Sequence, residues 1–451
     1  MVDPEATSNP YRELAKRFFI TFLLAVVVYR IGIVVPVPGI DVAELQDKIQ
    51  GTTEDGSAVG SVLKMANMFN GGALANGSVF GLGIMPYISA SIIFQLLAFS
   101  MPALKALQKE GEVGRRKIQQ YTRYMTLAIC LVQSIVAAIA LQSTGFVRAD
   151  VDPVMFIVQS ALVVTTGSMV LLWIAEQVTK FGVGNGVSVV IMISILAGFP
   201  SAIDSIMNNT ETDTLLSTLL GLLILFALII AFMVAVTMAR RIIHLEQQRR
   251  VQGGRQYGGG QTKLPLMLNH AGVIPVIFAQ PVMMVLGLVL ANLLGLRLVQ
   301  SGEAGYRYLL IALVVFFTFF YISITIDLNE WANNFKNGGF FIKGVKPGKN
   351  TADYLRYRLT RLTFVGAISL AAITIVPQML GTEVLQIDQQ ASMLLLGGIG
   401  LLIVVGVSLD VIQKVTSFLL AHQYQGLMSK NTGAGGPKGG TGKSGRGGKR
   451  F

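Results

Sequence analysis

The sequence predicts an all-α integral membrane protein of ten transmembrane helices, and three observations carry that expectation. Charged residues make up only 13% of the 451 residues and hydrophobic ones 52%, whereas a soluble domain carries about 25% charged residues. Apolar runs of roughly 20 residues, the length that crosses a bilayer as a helix, recur along the whole chain. Thirty of the 36 Lys and Arg fall in every second segment between these runs. Five others (Lys48, Lys64, Arg148, Arg297 and Arg307) fall in the alternate segments, and Arg30 lies within the first run. That asymmetry puts both termini in the cytoplasm. The alternating ten-residue strands of an outer-membrane barrel are missing from the pattern.

Taken in order, the N-terminal "MVDPEATSNPYRELAKR" has no basic n-region and no small-residue cleavage site, so it reads as a retained cytoplasmic tail. The predicted spans are 18–37, 77–100, 121–142, 154–175, 183–200, 214–238, 271–296, 306–326, 362–381 and 391–413. Between the first two, the weakly apolar "SVLKMANMFNGGA" is too short to cross and is expected to be a stub helix folded among the others. The second span contains many glycines, Pro86, and then Ser89, Ser91 and Gln95, where lipid would favour leucine. Residues 239–265 and 333–361 form long basic loops with Gly at their tips, suited to docking an acidic or RNA-rich partner.

A weak internal repeat divides the spans into halves of five, 1–213 and 214–413, followed by a basic Gly/Lys-rich tail at 414–451. The second span of each half carries Gly-apolar-X-Pro, "GIMP" at 83–86 and "GVIP" at 272–275, and the fifth opens on "GVGNGVSVVI" or "GGIGLLIVV". Five spans reverse the membrane side, so the halves have inverted topology. Pro86 and Pro275 are expected to interrupt helices that face a wet interior, with Asn269 and Gln280 flanking the second break.

The chemistry is sparse. Away from the span ends only Arg30 falls within a span, and Asp410 stands near the cytoplasmic end of the last one, so no carboxylate pair or catalytic dyad lies at mid-membrane to grip a charged solute. Cys130 reads as a small buried apolar side chain. His244, His270 and His422 lack metal-ligand spacing. The tail's "GKS" is not a phosphate loop, because Pro437 stands where the pattern needs glycine; the tail is a polar polymer that suits anionic lipid. No cofactor, metal or enzymatic activity is expected. An inverted-repeat small-molecule secondary transporter is the alternative to a channel.

Seven segments then identify a family: "PVPGID" (36–41), "MFNGGAL" (68–74), "GIMPYISASIIFQLL" (83–97), "EGEVGRRKIQQYTRY" (110–124), "GVGNGVS" (182–188), "AGVIP" (271–275) and "GVKPGKNTADYL" (344–355). In this order they closely resemble the SecY family, central subunits of the bacterial protein-translocation channel. The resemblance implies an hourglass pore between the two halves in the bacterial plasma (inner) membrane. It implies a pore ring at Ile84, Ile88, Val187, Ile191, Ile277 and Ile403, and a plug at about 61–75 including Met65, Met68 and Phe69. A lateral gate lies between the second and seventh spans, with Pro86, Ser89, Gln95, Pro275 and Gln280. The basic loops, through Arg249, Arg250, Arg255, Lys343 and Lys346, dock the ribosome or the SecA motor ATPase. Position 346 is usually arginine in the family, and lysine loses the bidentate fork. Other implied partners are SecE and SecG small subunits, nascent or preprotein chains, and, further out, SecDF and YidC.

Overall fold

A computed structural model describes residues 10–42, 70–143, 151–209, 212–247, 260–279, 304–387 and 396–432, with short pieces and single positions between them. The chain is a bundle of long helices crowned on one face, here called the basic face, by a small sheet. Helix α1 (Pro10–Phe22) runs through a π-helical stretch at Leu23–Val28 into α2 (Tyr29–Val34). After turns at 70–84 come α3 (Met85–Ser100) and α4 (Pro102–Lys109). Then follow α5 (Glu112–Ser143), α6 (Pro153–Phe181), α7 (Gly186–Ala197), α8 (Phe199–Asn209) and α9 (Thr212–Met238). The second half adds α10 (Ala304–Thr325), α11 (Leu328–Asn337), α12 (Lys349–Met379) and α13 (Gly398–Thr432).

Among the described residues, eight helical stretches are long and apolar enough to cross a membrane. A ninth candidate is α3, which meets α4 at a bend of 100°. Most of the expected seventh span lies outside the described residues. Several helices outrun the lipid. At 32 residues, α5 is about 48 Å long, against a hydrocarbon core of about 30 Å. Its polar start, "EVGRRKIQQYTR", therefore projects from the basic face as helix, where the sequence pattern placed loop.

The basic loops are not irregular. Strands β1 (Arg240–Gln247), β2 (Arg250–Gln252), β3 (Arg255–Tyr257) and β4 (Gln261–Met267) form a long antiparallel hairpin. Strand β5 (Phe340–Ile342), from the second loop, pairs with β1, so the sheet order is β4-β1-β5. Ile243 and Leu245 alternate inward on β1 and pack with Leu266, Ile342 and Leu355, giving this module its own core beside Trp331 and Phe335 of α11. The all-α expectation therefore holds for the membrane part, while the two loops fold together as one α/β unit.

The main core is one apolar cluster fed by both halves. It includes Tyr29, Phe80, Ile84, Leu171 and Val190 from the first, with Met233, Leu310, Leu370 and Ile403 from the second. Small residues open the closest contacts. A side chain on Gly186, the first residue of α7, would overlap the carbonyl of Ala175 on α6; one on Gly398, the first residue of α13, would overlap that of Ile373 on α12.

Candidate pore, gate and docking surfaces

The geometry begins with the two Gly-x-x-Pro corners. Pro86 lies in the first turn of α3, behind N-cap Ile84, and Pro275 lies in the first turn of the helical segment 274–279. At these positions the missing N–H would have been unpaired anyway. The prolines therefore start helices and do not interrupt them, which corrects the expectation of two kinked spans. Gly83 and Gly272, three residues earlier, adopt φ of 58° and 63°, a left-handed turn that glycine enters without steric cost. The next residue's carbonyl then opens each helix: Ile88 N donates to Ile84 O and Ile277 N to Val273 O, both at 3.2 Å.

The chain over 70–84 is turn, with one bridge from Ser78 to Pro36, where part of a stub helix and the first third of a span were expected. This stretch is stapled to the end of the first span. Val37 N donates to Gly77 O at 2.7 Å and Val79 N to Val35 O at 3.0 Å. Buried Asn70 donates through Nδ2 to Gly81 O at 2.7 Å, and its own carbonyl accepts from the Tyr29 hydroxyl at 3.1 Å. Met65, Met68 and Phe69 lie outside the described residues.

All six ring candidates belong to the central apolar cluster. Ile84 and Ile403 are buried, while Ile88, Val187, Ile191 and Ile277 pack against the cluster and stay partly exposed. Val187 and Ile191 share one face of α7 at i and i+4. They come from four separate stretches of chain, two in each half.

On the gate elements, Ser89 is half-buried on α3, and Gln95, a turn and a half further, is exposed and donates weakly to Ser91 Oγ at 3.4 Å. Facing it across a cleft of about 1080 Å³ is Phe278, which packs edge-on against Phe317 and Tyr321 of α10 with ring centroids 6.1 and 6.2 Å apart. Gln280 is outside the described residues, and Asn269 Nδ2 donates to Gly272 O at 3.0 Å.

Arg250 and Arg255 lie on the backbone of β2 and β3, near the hairpin tip; Arg249 is outside the described residues. Lys343 and Lys346 are exposed in the turn after β5, where the Lys346 carbonyl accepts from Thr351 Oγ1 at 3.0 Å. Strand β5 pairs with β1 in one three-stranded sheet, and β2 and β3 extend the hairpin beyond it as a separate two-stranded ribbon.

A model of the SecY family matches residues 78–412. The chain belongs to the SecY family. It is 38% identical over 435 residues to the protein translocase subunit SecY of Buchnera aphidicola, covering 94% of this chain and 97% of that one. It is also 38% identical over 429 residues to the SecY of Escherichia coli K12, covering 92% and 94%. Among solved structures it resembles a protein-conducting channel with a TM-score of 0.57 at 18% identity, covering 91% of this chain and 93% of that one. Sec61 in a canine ribosome–channel complex matches with a TM-score of 0.55 at 16% identity, over the same shares of 91% and 93%. SecY is a family of multi-pass membrane channel subunits, not of enzymes, and the superpositions show that this chain has its fold.

Two features of this SecY fold escaped sequence reasoning. Asn70 read only as part of a motif, because its partners Tyr29 and Gly81 meet it through tertiary contact. Arg123 of α5 donates to Glu176 of α6 at 2.5 Å, with Glu176 only 20% exposed. Arg123 stands at the edge of one expected span and Glu176 just past the end of the next, and helices longer than their apolar runs bring them together. Arg30 is exposed, and Asp410 pairs with Lys414 at 2.8 Å. Among the described residues no group of three His, Cys, Asp or Glu is placed to hold a metal ion.

Proposed function

We propose that this chain is the pore subunit of a protein-conducting channel. It passes unfolded secretory polypeptides across the bacterial plasma membrane and releases hydrophobic segments sideways into lipid. Its relatives are named protein translocase subunits and match nearly end to end. The single observation that carries the pore assignment is the gathering of Ile84, Ile88, Val187, Ile191, Ile277 and Ile403 into one apolar cluster from four separate stretches. A ring of branched aliphatic side chains excludes water and ions by dewetting. It makes no specific bond, so it parts around any peptide. Residues 61–75 plug the funnel beyond it.

The halves 1–213 and 214–413 move as the two jaws, and α3 and the segment beginning at 274 line the lateral gate. The basic face is cytoplasmic, as the Lys/Arg asymmetry favours, and the tail at 414–451 lies along anionic lipid. The sheet module presents Arg249, Arg250, Arg255, Lys343 and Lys346 to a partner. Solved neighbours of the same fold include Sec61 in a ribosome–channel complex and Ssh1 bound to the yeast ribosome, which supports the ribosome; the SecA motor would use the same surface. SecE and SecG complete the membrane complex.

The deciding experiment is conductance in planar bilayers. Ile403→Gly should make the resting channel leak ions, and unchanged conductance would remove the ring assignment. Reversing Arg255 and Lys346 to Glu should weaken ribosome co-sedimentation on the order of fivefold per charge at physiological salt, with membrane insertion unaffected. A solute transporter would instead show saturable uptake in vesicles.

A further inference from the structure

The cleft at the basic end of the gate has two walls from different halves. One is α3 and α4, with Gln95, Lys105 and Gln108; the other is α10, α11 and α12, with Phe320, Asp327 and Arg356. Lys105 Nζ reaches Asp327 Oδ2 across its mouth at 3.9 Å, the two side chains being 49% and 46% exposed. Glu13 of α1 also approaches His422 of α13 at 4.0 Å, an ion pair only when the imidazole is protonated, and neither residue borders this cleft.

Asp327 has a second task. Its Oδ1 accepts from the backbone N–H of Asn329 and Glu330 at 3.1 and 3.2 Å, capping the start of α11. That helix packs its Trp331 and Phe335 into the core of the sheet module. Lys105, for its part, stands on α4, one short turn beyond α3. One carboxylate thus belongs at once to the base of the basic module and to the salt link with the gate helix.

We propose that Lys105–Asp327 is a clasp that holds the cleft closed at its basic mouth and couples the sheet module to α3. The coupling rests on the docking function proposed above; the clasp itself does not. A half-exposed pair at this distance is weak and screened by salt, which suits a contact that must open in every cycle. A partner that pulls on the module shifts α11, draws Asp327 away from Lys105 and frees the gate helix.

Spin labels at Gln108→Cys and Asn329→Cys, in the full chain carrying Cys130→Ser, read the width of the mouth. The unmodified pair should give one short distance at low salt that lengthens as salt is raised. Lys105→Glu should lengthen it at low salt, and Lys105→Arg should retain it. Asp327→Asn separates the two tasks, because asparagine caps as well as aspartate but carries no charge. It should widen the mouth, and Lys105→Gln on top of it should add nothing further. The same variants should raise translocation of a client with a weakened signal sequence roughly two- to fivefold, whereas mere loss of structure would lower it. Unchanged distances in Lys105→Glu, or additive effects of Lys105→Gln and Asp327→Asn, would overturn the clasp. Ribosomes that co-sediment yet leave the distance unchanged would overturn the coupling. Failure to co-sediment would sink the docking assignment alone, with the Lys105→Glu distances still deciding the clasp.

Discussion

The corners at Gly83–Pro86 and Gly272–Pro275 have the same backbone and different surroundings. In both, a left-handed glycine turns the chain and a proline occupies the first turn of the helix that follows. Around Gly83 there is no room: a side chain there would meet Asn70 Oδ1, and Phe80 stacks on Tyr29 with ring centroids 6.3 Å apart. Among the described residues, a side chain on Gly272 would meet nothing within 4 Å, and the buried Oδ1 of neighbouring Asn269 finds no hydrogen-bond partner. The shared part is local chemistry that four residues can encode. The unshared part is tertiary: the first corner is clamped to the segment leading back toward 61–69, while the second is left open.

Substitutions can break this comparison. The largest effect should come where the halves agree most closely. Gly186→Val and Gly398→Val each drive a side chain into a helix carbonyl and should cost about 2–4 kcal/mol, read as lower thermal midpoints in detergent. A large cost at only one site would weaken the repeat. At the corners, Gly83→Ala should cost about 2–3 kcal/mol, from the left-handed backbone plus the collision with Asn70, and Gly272→Ala about 1 kcal/mol from backbone strain alone. Equal costs would mean that the clamp at the first corner is not rigid. The smallest effect belongs to Pro86→Ala and Pro275→Ala, each about 1 kcal/mol, because no hydrogen bond is lost and only unfolded-chain entropy and part of a buried ring change. A cost of several kcal/mol would show that the rings themselves pack the corner.

The spans were legible because lipid imposes one rule along the whole chain: every crossing segment must satisfy its own backbone and present apolar side chains. Their ends were not, because a helix continues past the lipid wherever capping and neighbours favour it. Thus α5 begins at Glu112 and α12 at Lys349, well before the apolar runs do. Proline misled for a related reason. It signals a helix break or a helix start equally well, and only the turns at 70–84 show that Pro86 is a start.

Composition and period by themselves determined the membrane class, the grouping of cations between alternate spans and the positions of the paired corners, since each follows from free energies local to a span or a turn. Tertiary structure alone decided that two basic loops share a sheet, that Asn70 ties the first corner to Tyr29, and that Lys105 meets Asp327. Those contacts join residues tens to hundreds of positions apart. Nothing in either partner's local sequence encodes the other, so only packing can choose between one pairing and its many alternatives.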